Sequence, residues 1–345
     1  MNQSPAVRLT VVVLAYGDEP LLGTCVRSVL ASDEVDVDVV VVDNGCTSSD
    51  LETLRRLPRV RVLTPGRNLG FAGGCNLGAQ QSDAPFVGFV NGDAVVQPTA
   101  LALLAAEAAR PDVGLASASL RLLDAPEELN SVGNPVHYLG LSWAGALGEP
   151  ASAHPVSADV ASATGAAVVA RREVFQRLGG FCELMFAYCE DVELSLRVWQ
   201  LGLRCRYVAD AVVLHRYEFS RNPRKMYLLE RNRLLLLLTL FERRTLVLLG
   251  PAALGLELAM LAVSLRQGWA RQKVAGWWWL ARHVPEIRRR REVVQRSRSR
   301  SDRFIVPLLT GDFRPGAQTG FAAPPLVRAG SRAYWSAARR LLGSR

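Results

Sequence analysis

The feature that most constrains this chain is a regular alternation of two kinds of segment over residues 9–118. Short apolar runs rich in β-branched residues recur, and each has the length of a strand: residues 9–15, 37–42, 60–63, 86–90 and 113–116. Stretches compatible with helix lie between several of them, at residues 20–31, 48–56 and 72–80. Strands that alternate with helices predict an α/β fold, with a Rossmann-like, mostly parallel sheet and helices on both faces.

Three polar clusters follow the ends of these apolar runs. Asp43-Asn44-Gly45 follows the second run, a glycine-rich loop at 66–74 follows the third, and Asn91-Gly92-Asp93 follows the fourth. Each Asx-Gly pair alone is equally well explained as turn chemistry. In open α/β sheets, however, ligands bind beyond the carboxyl ends of the strands. Three clusters at equivalent ends therefore favour a ligand site.

The glycine-rich loop does not match a known phosphate-binding fingerprint. Gly70, Gly73, Gly74 and Gly78 do not form G-x-G-x-x-G, the loop follows the third strand rather than the first, and there is no Walker A pattern. Its backbone amides and Arg67 are nevertheless suited to approach a phosphate or a sugar.

Two candidate functional features occur in residues 162–215. Glu190 and Asp191 lie near the start of a predicted helix, where the helix dipole favours carboxylates even without a function. The apolar run 211–214 ends in His215, a candidate metal ligand, although a lone histidine is more often structural.

The charges are segregated along the chain. Residues 1–215 carry a net charge of −9 and residues 216–345 carry +18, which together give the overall +9. This asymmetry argues against a nucleic-acid-binding head and predicts that the basic tail meets an anionic partner, either lipid or nucleic acid.

The six cysteines show no C-x-x-C spacing, which indicates reduced thiols in a cytosolic protein. The apolar segment at 9–16 is too short to span a membrane and has no small-residue cleavage site after it, so it favours a first strand. The length of 345 residues suggests one large domain with an appendage. We divide the chain into a catalytic domain at 1–225, a helical, basic and apolar region at 226–300, and a flexible or loop-rich tail at 301–345.

Residues 245–265 form an apolar segment of the tail in which only Glu257 is charged. The segment is long enough to span a bilayer, but a central acid costs about 2.5–3.5 kcal/mol and both flanks are basic. We therefore favour helices lying on the inner face of the cell membrane, with the three tryptophans at 277–279 at headgroup level and arginines on anionic lipid. A buried helix of a soluble C-terminal subdomain is the alternative.

Six motifs follow one another in a familiar order and at familiar spacing. They are VVVVDNG at 39–45, RNLGFAGGCN at 67–76, FVNGD at 89–93, TGA at 164–166, GGF at 179–181 with YCEDVEL at 188–194, and His215. Over about residues 8–240 the chain thereby resembles the family 2 glycosyltransferases, and within them the bacterial rhamnosyltransferase-like branch.

The resemblance implies an A-type glycosyltransferase fold, a nucleotide-sugar donor, Mg²⁺ or Mn²⁺, and inversion at the anomeric carbon. By position, Asp43 resembles the carboxylate that reads the nucleotide base, and Asp93 and His215 resemble the metal ligands. Asp191 resembles the catalytic base, with Glu190 beside it. The other positions that the resemblance implies for the donor are Ala15, Tyr16, Arg67, Asn68, Gly70, Asn91, Thr164 and Gly165.

Two positions depart from the family pattern. Gly92 stands where the family often has proline, but the metal-binding carboxylate is kept. Cys182 stands where the family often has aspartate, which puts acceptor-side details in doubt although Glu183 is kept.

We therefore expect an inverting, metal-dependent glycosyltransferase that acts on a lipid-linked or cell-envelope glycan, with an anionic membrane surface and no nucleic acid among its partners. A sugar-1-phosphate nucleotidyltransferase would carry an N-terminal glycine-rich loop with a basic residue, and residues 15–20 lack one. A non-catalytic membrane-bound scaffold that keeps the fold is the other alternative.

Overall fold

The computed structural model describes residues 7–217, 224–313 and 323–343. The strands are β1 Val7–Gly17, β2 Val35–Cys46, β3 Val60–Leu63, β4 Phe86–Asn91, β5 Ala94–Val96, β6 Val113–Leu122, β7 Ala125–Ser131, β8 Val136–His137, β9 Ala158–Asp159, β10 Ala167–Arg171, β11 Arg204–His215 and β12 Leu309–Thr310.

The helices cover the sheet and then form a C-terminal group. They are α1 Leu22–Leu30, α2 Asp50–Leu54, α3 Gly70–Ala79, α4 Ala100–Ala108, α5 Arg172–Arg177, α6 Glu190–Gln200, α7 Lys225–Leu240, α8 Arg243–Gln267, α9 Ala270–Arg282, α10 Val284–Ser297, α11 Asp302–Ile305 and α12 Pro325–Leu341. Short 3₁₀ turns occur at Ala151–Ala153, Glu183–Met185 and Val306–Leu308.

The central sheet has ten strands, with the main order β3-β2-β1-β4-β10-β6-β11-β5; β7 extends from β6 and β9 from β11. The first four strands pair in parallel, as the alternating sequence predicts. This mixed α/β architecture confirms the predicted fold class.

The second half of the sheet is more mixed than the sequence indicates. β10 lies antiparallel between β4 and β6, and β5 lies antiparallel to β11. Because β10 runs backwards, its beginning lies at the edge where β1 and β4 end, and Asn91 donates a backbone hydrogen bond to Ala166 there. The reversed strand β10 thus brings one further chain segment to the edge that the sequence marks as a ligand site.

The C-terminal helices share the hydrophobic core of the sheet. One continuous buried cluster joins Phe89 of β4 and Phe181 to Leu236 of α7, Leu249 of α8 and Trp335 of α12. The helical region is therefore packed onto the α/β core. Inside the segment 301–345, expected to be loop-rich, the described residues include α12, whose Trp335 ring stacks on Tyr138 at 4.9 Å.

Ion pairs between buried charged side chains connect α8 and α9 to α7. Glu230 and Arg233 of α7, Glu257 of α8 and Lys273 of α9 form ion pairs, and Lys273 Nζ lies 2.8 Å from a Glu257 carboxylate oxygen. Glu257, the one acid of the apolar segment, is thus neutralised by neighbouring helices.

Only one of the three tryptophans expected at headgroup level points outward. Trp278 is 60% exposed. Trp277 instead donates its indole N–H to Glu257, and the Trp279 ring stacks on His283 at 4.1 Å. Successive side chains on a helix lie 100° apart, so three in a row cannot face one surface.

Candidate active site

A cavity of about 1580 Å³ opens at the carboxyl edge of β1 and β4. Most of the residues that the sequence proposes for function line this cavity: Tyr16, Asn68, Gly70, Asn91, Asp93, Thr164, Gly165, Glu190, Asp191 and His215. Side chains that are up to 199 positions apart in sequence therefore face one space.

Asp93 and His215 form a close pair on the cavity wall. The Asp93 Oδ1 atom lies 3.2 Å from His215 Nε2, and both side chains are largely buried. Asp93 stands directly before β5, and His215 ends β11, which pairs with β5 through Ala94. The sheet register therefore fixes this pair.

The hydrogen bonds around His215 assign its two ring nitrogens. The Asn130 amide oxygen lies 2.9 Å from Nδ1 and can only accept, so Nδ1 carries the proton. Asn91 donates its amide N–H to Nε2 at 3.3 Å, which fits an unprotonated Nε2. Nε2, which lies beside the Asp93 carboxylate, thus keeps the lone pair that an imidazole needs to ligate a metal.

One carboxylate oxygen and one imidazole nitrogen, side by side and facing a cavity, fit a divalent cation that keeps other ligands of its own. Among the described residues, no group of three or more histidine, cysteine, aspartate or glutamate side chains converges to form a complete protein site. Oxygen atoms of substrate and water are ligands that could complete the coordination of a cation held by this pair.

Asp191 is held in the cavity wall by three N–H donors. Its Oδ2 accepts from the Gly165 backbone N–H at 3.1 Å and from the Asn134 amide at 3.3 Å, and its Oδ1 accepts from the Val192 backbone N–H at 2.8 Å. Gly165 and Asn134 reach it from two different segments, so the carboxylate has a fixed orientation.

The two adjacent carboxyls have different environments. Burial raises the pKa of Glu190 well above its usual range, and the nearby charge of Asp191 raises it further. The Glu190 Oε2 atom is buried and has no hydrogen-bond partner among the residues that the structure describes. Burial also raises the pKa of Asp191, but the N–H groups of Gly165 and Val192 oppose this rise. We therefore assign the proton to Glu190 and the negative charge to Asp191.

Hydrogen bonds of Asn44 and Asn68 hold the glycine-rich loop next to the end of β2. The Asn44 amide donates to Asn68 Oδ1 at 2.8 Å and to the Gly70 carbonyl at 3.1 Å, and its Oδ1 accepts from the Leu69 N–H at 2.7 Å. Gly70 has φ +73°, and a Cβ there would meet the Phe186 carbonyl at 2.3 Å. The loop therefore packs directly on the segment that precedes Asp191.

Three of the positions expected to contact the donor do not line the cavity. Ala15 is fully buried in β1, where it is the register partner of Asp43. The Asp43 carboxylate accepts a hydrogen bond from the backbone N–H of Cys46, three residues later, at 3.0 Å. Arg67 lines a neighbouring depression of about 370 Å³, which shares Asn68 with the main cavity.

Cys182, one of the two positions that depart from the family pattern, is buried and lies outside the cavity lining. Burial raises the pKa of its thiol to about 11. The retained Glu183 accepts a hydrogen bond from the Asn76 amide of α3 at 3.0 Å. Asn76 also exchanges hydrogen bonds with the Phe181 backbone, so this segment anchors α3.

The sequence did not predict a role for Asn130 or Asn134. Asn130 bonds to His215, and Asn134 bonds to Asp191. The two asparagines lie at the end of β7 and just after it, a strand of sequence APEELNS that has neither β-branched residues nor an alternating pattern. The only available signal is a pair of asparagines among small residues, which is also typical of an ordinary turn.

The mixed α/β sheet with a cavity at the carboxyl edge of its parallel strands is the A-type glycosyltransferase fold. Residues 5–234, two thirds of the chain, match the family model described as "Glycosyltransferase like family 2", and the chain belongs to this family. This confirms the resemblance inferred from the motifs.

Two relatives of modest sequence identity have names that refer to the synthesis of cell-envelope glycans. The chain is 31% identical over 241 residues to N-acetylglucosaminyl-diphospho-decaprenol L-rhamnosyltransferase of Mycobacterium tuberculosis, covering 62% of this chain and 78% of that protein. It is 31% identical over 223 residues to O-antigen biosynthesis protein RfbC of Myxococcus xanthus, covering 61% of this chain and only 17% of that protein.

Solved structures share the fold at low identity. GalNAc-T7 with UDP, GalNAc and Mn²⁺ aligns with a TM-score of 0.58 at 17% identity, covering 68% of this chain and 49% of that one. The mannosyltransferase PcManGT of Pyrobaculum calidifontis, in complex with GDP-Man and Mn²⁺, aligns with a TM-score of 0.51 at 18% identity, covering 98% and 88%.

Proposed function

We propose that the protein is an inverting glycosyltransferase that moves a sugar from a nucleoside diphosphate donor to a hydroxyl of a lipid-linked or cell-envelope glycan. The observation that carries the proposal is one cavity that holds both the Asp93–His215 pair and the hydrogen-bonded Asp191 carboxylate. The name of the Mycobacterium tuberculosis relative favours rhamnose as the transferred sugar.

Asp93 and His215 would hold Mg²⁺ or Mn²⁺. A bound cation of this kind supplies Lewis-acid stabilisation of the charge that develops on the leaving diphosphate. Asn130 keeps the imidazole in the required tautomer and orientation. Nε2 has one lone pair, so a cation bound there would replace the hydrogen bond from Asn91.

Asp191 would act as the general base. Inversion requires the acceptor hydroxyl to attack the face opposite the leaving group, and a fixed carboxylate can remove the hydroxyl proton during the attack. Asp191 lines the cavity and is held by Gly165 and Asn134, so it is oriented before the acceptor arrives. Protonated Glu190 beside it adds no second negative charge.

The size and lining of the cavity support an acceptor with an apolar portion. Its volume exceeds the roughly 300–1000 Å³ of most small-molecule pockets. Away from Asp93, apolar side chains line the cavity as far as α8, and they include Leu141, Trp143, Leu229 and Met260.

The outer face of α8 supports attachment to a membrane surface. α8 has the length and apolar composition needed to cross a bilayer. Four large apolar side chains that are 60–76% exposed lie in one row along the helix, defined here as the α8 stripe: Val247, Leu254, Leu258 and Leu265. The opposite side of α8, including Leu249 and Met260, is buried on protein. A helix with one side on protein and an apolar outer side, followed by exposed arginines, fits a peripheral position on anionic lipid.

A transfer assay tests the proposed function. Purified protein is incubated with UDP-, dTDP- or GDP-sugars, Mn²⁺ and a bacterial lipid extract, and release of nucleoside diphosphate and labelling of lipid are measured. We expect one donor to be consumed with labelling of lipid, and the Asp191→Asn variant to bind the donor without transferring it. Absence of transfer from every donor would overturn the proposal.

A further inference from the structure

The loop that leads into α6 has an unusual backbone. Phe186, Tyr188 and Cys189 all have positive φ values, of 65°, 68° and 67°, although none is glycine. Such angles are disfavoured for L-residues and persist only when surrounding structure enforces them. Residues 184–189, defined here as the base loop, end immediately before Glu190 and Asp191. The conformation of the base loop therefore sets where the catalytic carboxylate lies.

The Asn232 side chain supplies much of this enforcement. Asn232 lies on α7 and is fully buried. Its amide nitrogen donates to the carbonyls of three base-loop residues, Met185, Ala187 and Tyr188, at 2.9, 2.8 and 2.7 Å. An amide has two N–H groups, so the three carbonyls share them. Three carbonyls can converge on one nitrogen only if the loop is tightly curled.

Arg231 adds donors next to Asn232. Its guanidinium donates to the carbonyls of Leu184 and Met185 at 3.1 and 2.7 Å. The same guanidinium lies over the Trp279 ring of α9, 4.3 Å from the ring centroid. Adjacent residues of α7 thus hold the base loop, and α9 fixes one of them.

We propose that Arg231 and Asn232 are positioning residues for sugar transfer, which hold the base loop in the conformation that presents Asp191 to the acceptor. This inference rests on the proposed function. It places part of the catalytic apparatus in the C-terminal helical region, beyond the motifs that define the α/β domain.

The position of the base loop distinguishes this role from simple packing. Ala187 and Tyr188 line the cavity, so their carbonyls can turn to water if the Asn232 donors are lost. The loop can then relax toward ordinary negative φ values while the hydrophobic core stays intact. Asp191 would shift, whereas Asp93 and His215 belong to the sheet and would not.

The first test compares Asn232→Asp with Thr239→Val in the full chain. Thr239 is also fully buried on α7, but its hydroxyl bonds only to carbonyls of its own helix. We expect Asn232→Asp to lower kcat by roughly 100-fold, because small displacements of a reacting group have effects of this size. Donor affinity should stay within about twofold of the wild type, and Thr239→Val should keep a near-normal kcat. Equal kcat values in the two variants at matched melting temperatures would overturn the proposal.

The pH profile supplies a readout that a packing defect would not change. The introduced carboxylate repels the loop carbonyls when ionised and can donate to one of them when protonated. Arg231, whose Nε donates to the Asn232 Oδ1 atom at 2.9 Å, is the cation that would pair with the ionised form. The ratio of wild-type to variant kcat should therefore shrink as pH falls, and a ratio independent of pH would contradict the proposal. If Asn232→Asp does not fold, Arg231→Lys takes its place. Lysine keeps the positive charge but lacks the several fixed N–H donors of the guanidinium. This variant should reduce kcat about tenfold at unchanged donor affinity.

Hydrogen–deuterium exchange separates failure of this inference from failure of the proposed function. In Asn232→Asp, or in Arg231→Lys if that variant replaces it, amides of the base loop should exchange faster while those of β1 and β4 stay protected. This result does not depend on turnover. If the wild type binds donor but transfers nothing, the proposed function fails, and unchanged exchange in the base loop would then also refute the positioning role.

Discussion

Asp93 and His215 lie side by side because antiparallel pairing of β5 with β11 places His215 opposite Ala94, the residue after Asp93. The backbone reinforces the pair, since the Arg216 N–H donates to the Asp93 carbonyl at 3.1 Å. The distance of 3.2 Å between Oδ1 and Nε2 is thus a property of the sheet, and it does not depend on a mobile loop. A site built on strands holds its geometry before any ligand binds.

Asn130→Ala should weaken metal binding without removing a ligand. The substitution takes away the acceptor that keeps the proton on His215 Nδ1, so the imidazole loses its fixed tautomer. Loss of such partners typically lowers metal affinity about 10- to 100-fold. Titration of Mn²⁺ in the presence of nucleoside diphosphate measures the change. Ser142→Ala, which removes a hydroxyl from another part of the cavity wall, is the control. Equal affinities in the two variants would contradict the role of Asn130.

The acid limb of the pH–rate profile should report Asp191. Burial raises its pKa above the usual aspartate range, and a base must be ionised to act, so kcat/KM should fall as pH drops through this raised pKa. The limb should therefore lie above pH 4, where an exposed aspartate titrates. Asp191→Asn should lower kcat by about 100- to 10,000-fold and remove the limb. A limb that survives in this variant would assign the base elsewhere.

Glu190→Gln should become increasingly stabilising as pH rises. The folded state raises the pKa of Glu190, so it binds a proton that the unfolded chain has released, and stability declines with pH between the two pKa values. Glutamine mimics the protonated side chain and cannot ionise. Melting temperatures measured between pH 5 and pH 8 should therefore show a variant-minus-wild-type difference that grows with pH. A difference that is constant, or that falls with pH, would mean that Glu190 is ionised at neutral pH in the folded protein.

The double variant Leu254→Glu with Leu258→Glu should impair membrane attachment. Burial of one leucine contributes about 1.5–3 kcal/mol, so loss of two from the α8 stripe should reduce partition to anionic vesicles by at least tenfold. Val156→Glu is the control, because Val156 is 73% exposed on the α/β domain. Cosedimentation with vesicles of anionic lipid measures the partition. Undiminished binding of the double variant would exclude the stripe as the contact surface.

The parallel half of the fold follows from the sequence because each of its strands is a β-branched run bounded by a turn. The helices expected at 20–31 and 72–80 form as α1 and α3, Leu22–Leu30 and Gly70–Ala79. The antiparallel strands are harder to predict. β7 has no alternating pattern, and the position of β10 between β4 and β6 depends on packing between distant segments.

Some residues of the candidate site, but not all of them, could likewise be predicted from the sequence. Asp93, Asp191 and His215 carry a motif signal, and the cavity contains all three. Asn130, Asn134, Arg231 and Asn232 hold other groups through hydrogen bonds to residues that are distant in sequence. Because such bonds depend on tertiary contact rather than on local pattern, no spacing in the sequence indicates them.

The measurement that tests the central claim most directly is calorimetric donor binding with and without metal. UDP-, dTDP- and GDP-sugars are titrated into the wild type, Asp93→Asn and the control Asp83→Asn, whose carboxylate is 86% exposed. Each titration is repeated in Mn²⁺, in Mg²⁺ and in EDTA. We predict that the wild type and Asp83→Asn bind one donor tightly with metal and at least tenfold more weakly in EDTA, and that Asp93→Asn binds weakly in both. Donor binding that is equal in Mn²⁺ and EDTA, or unaffected by Asp93→Asn, would contradict the assignment of Asp93 and His215 as the metal site.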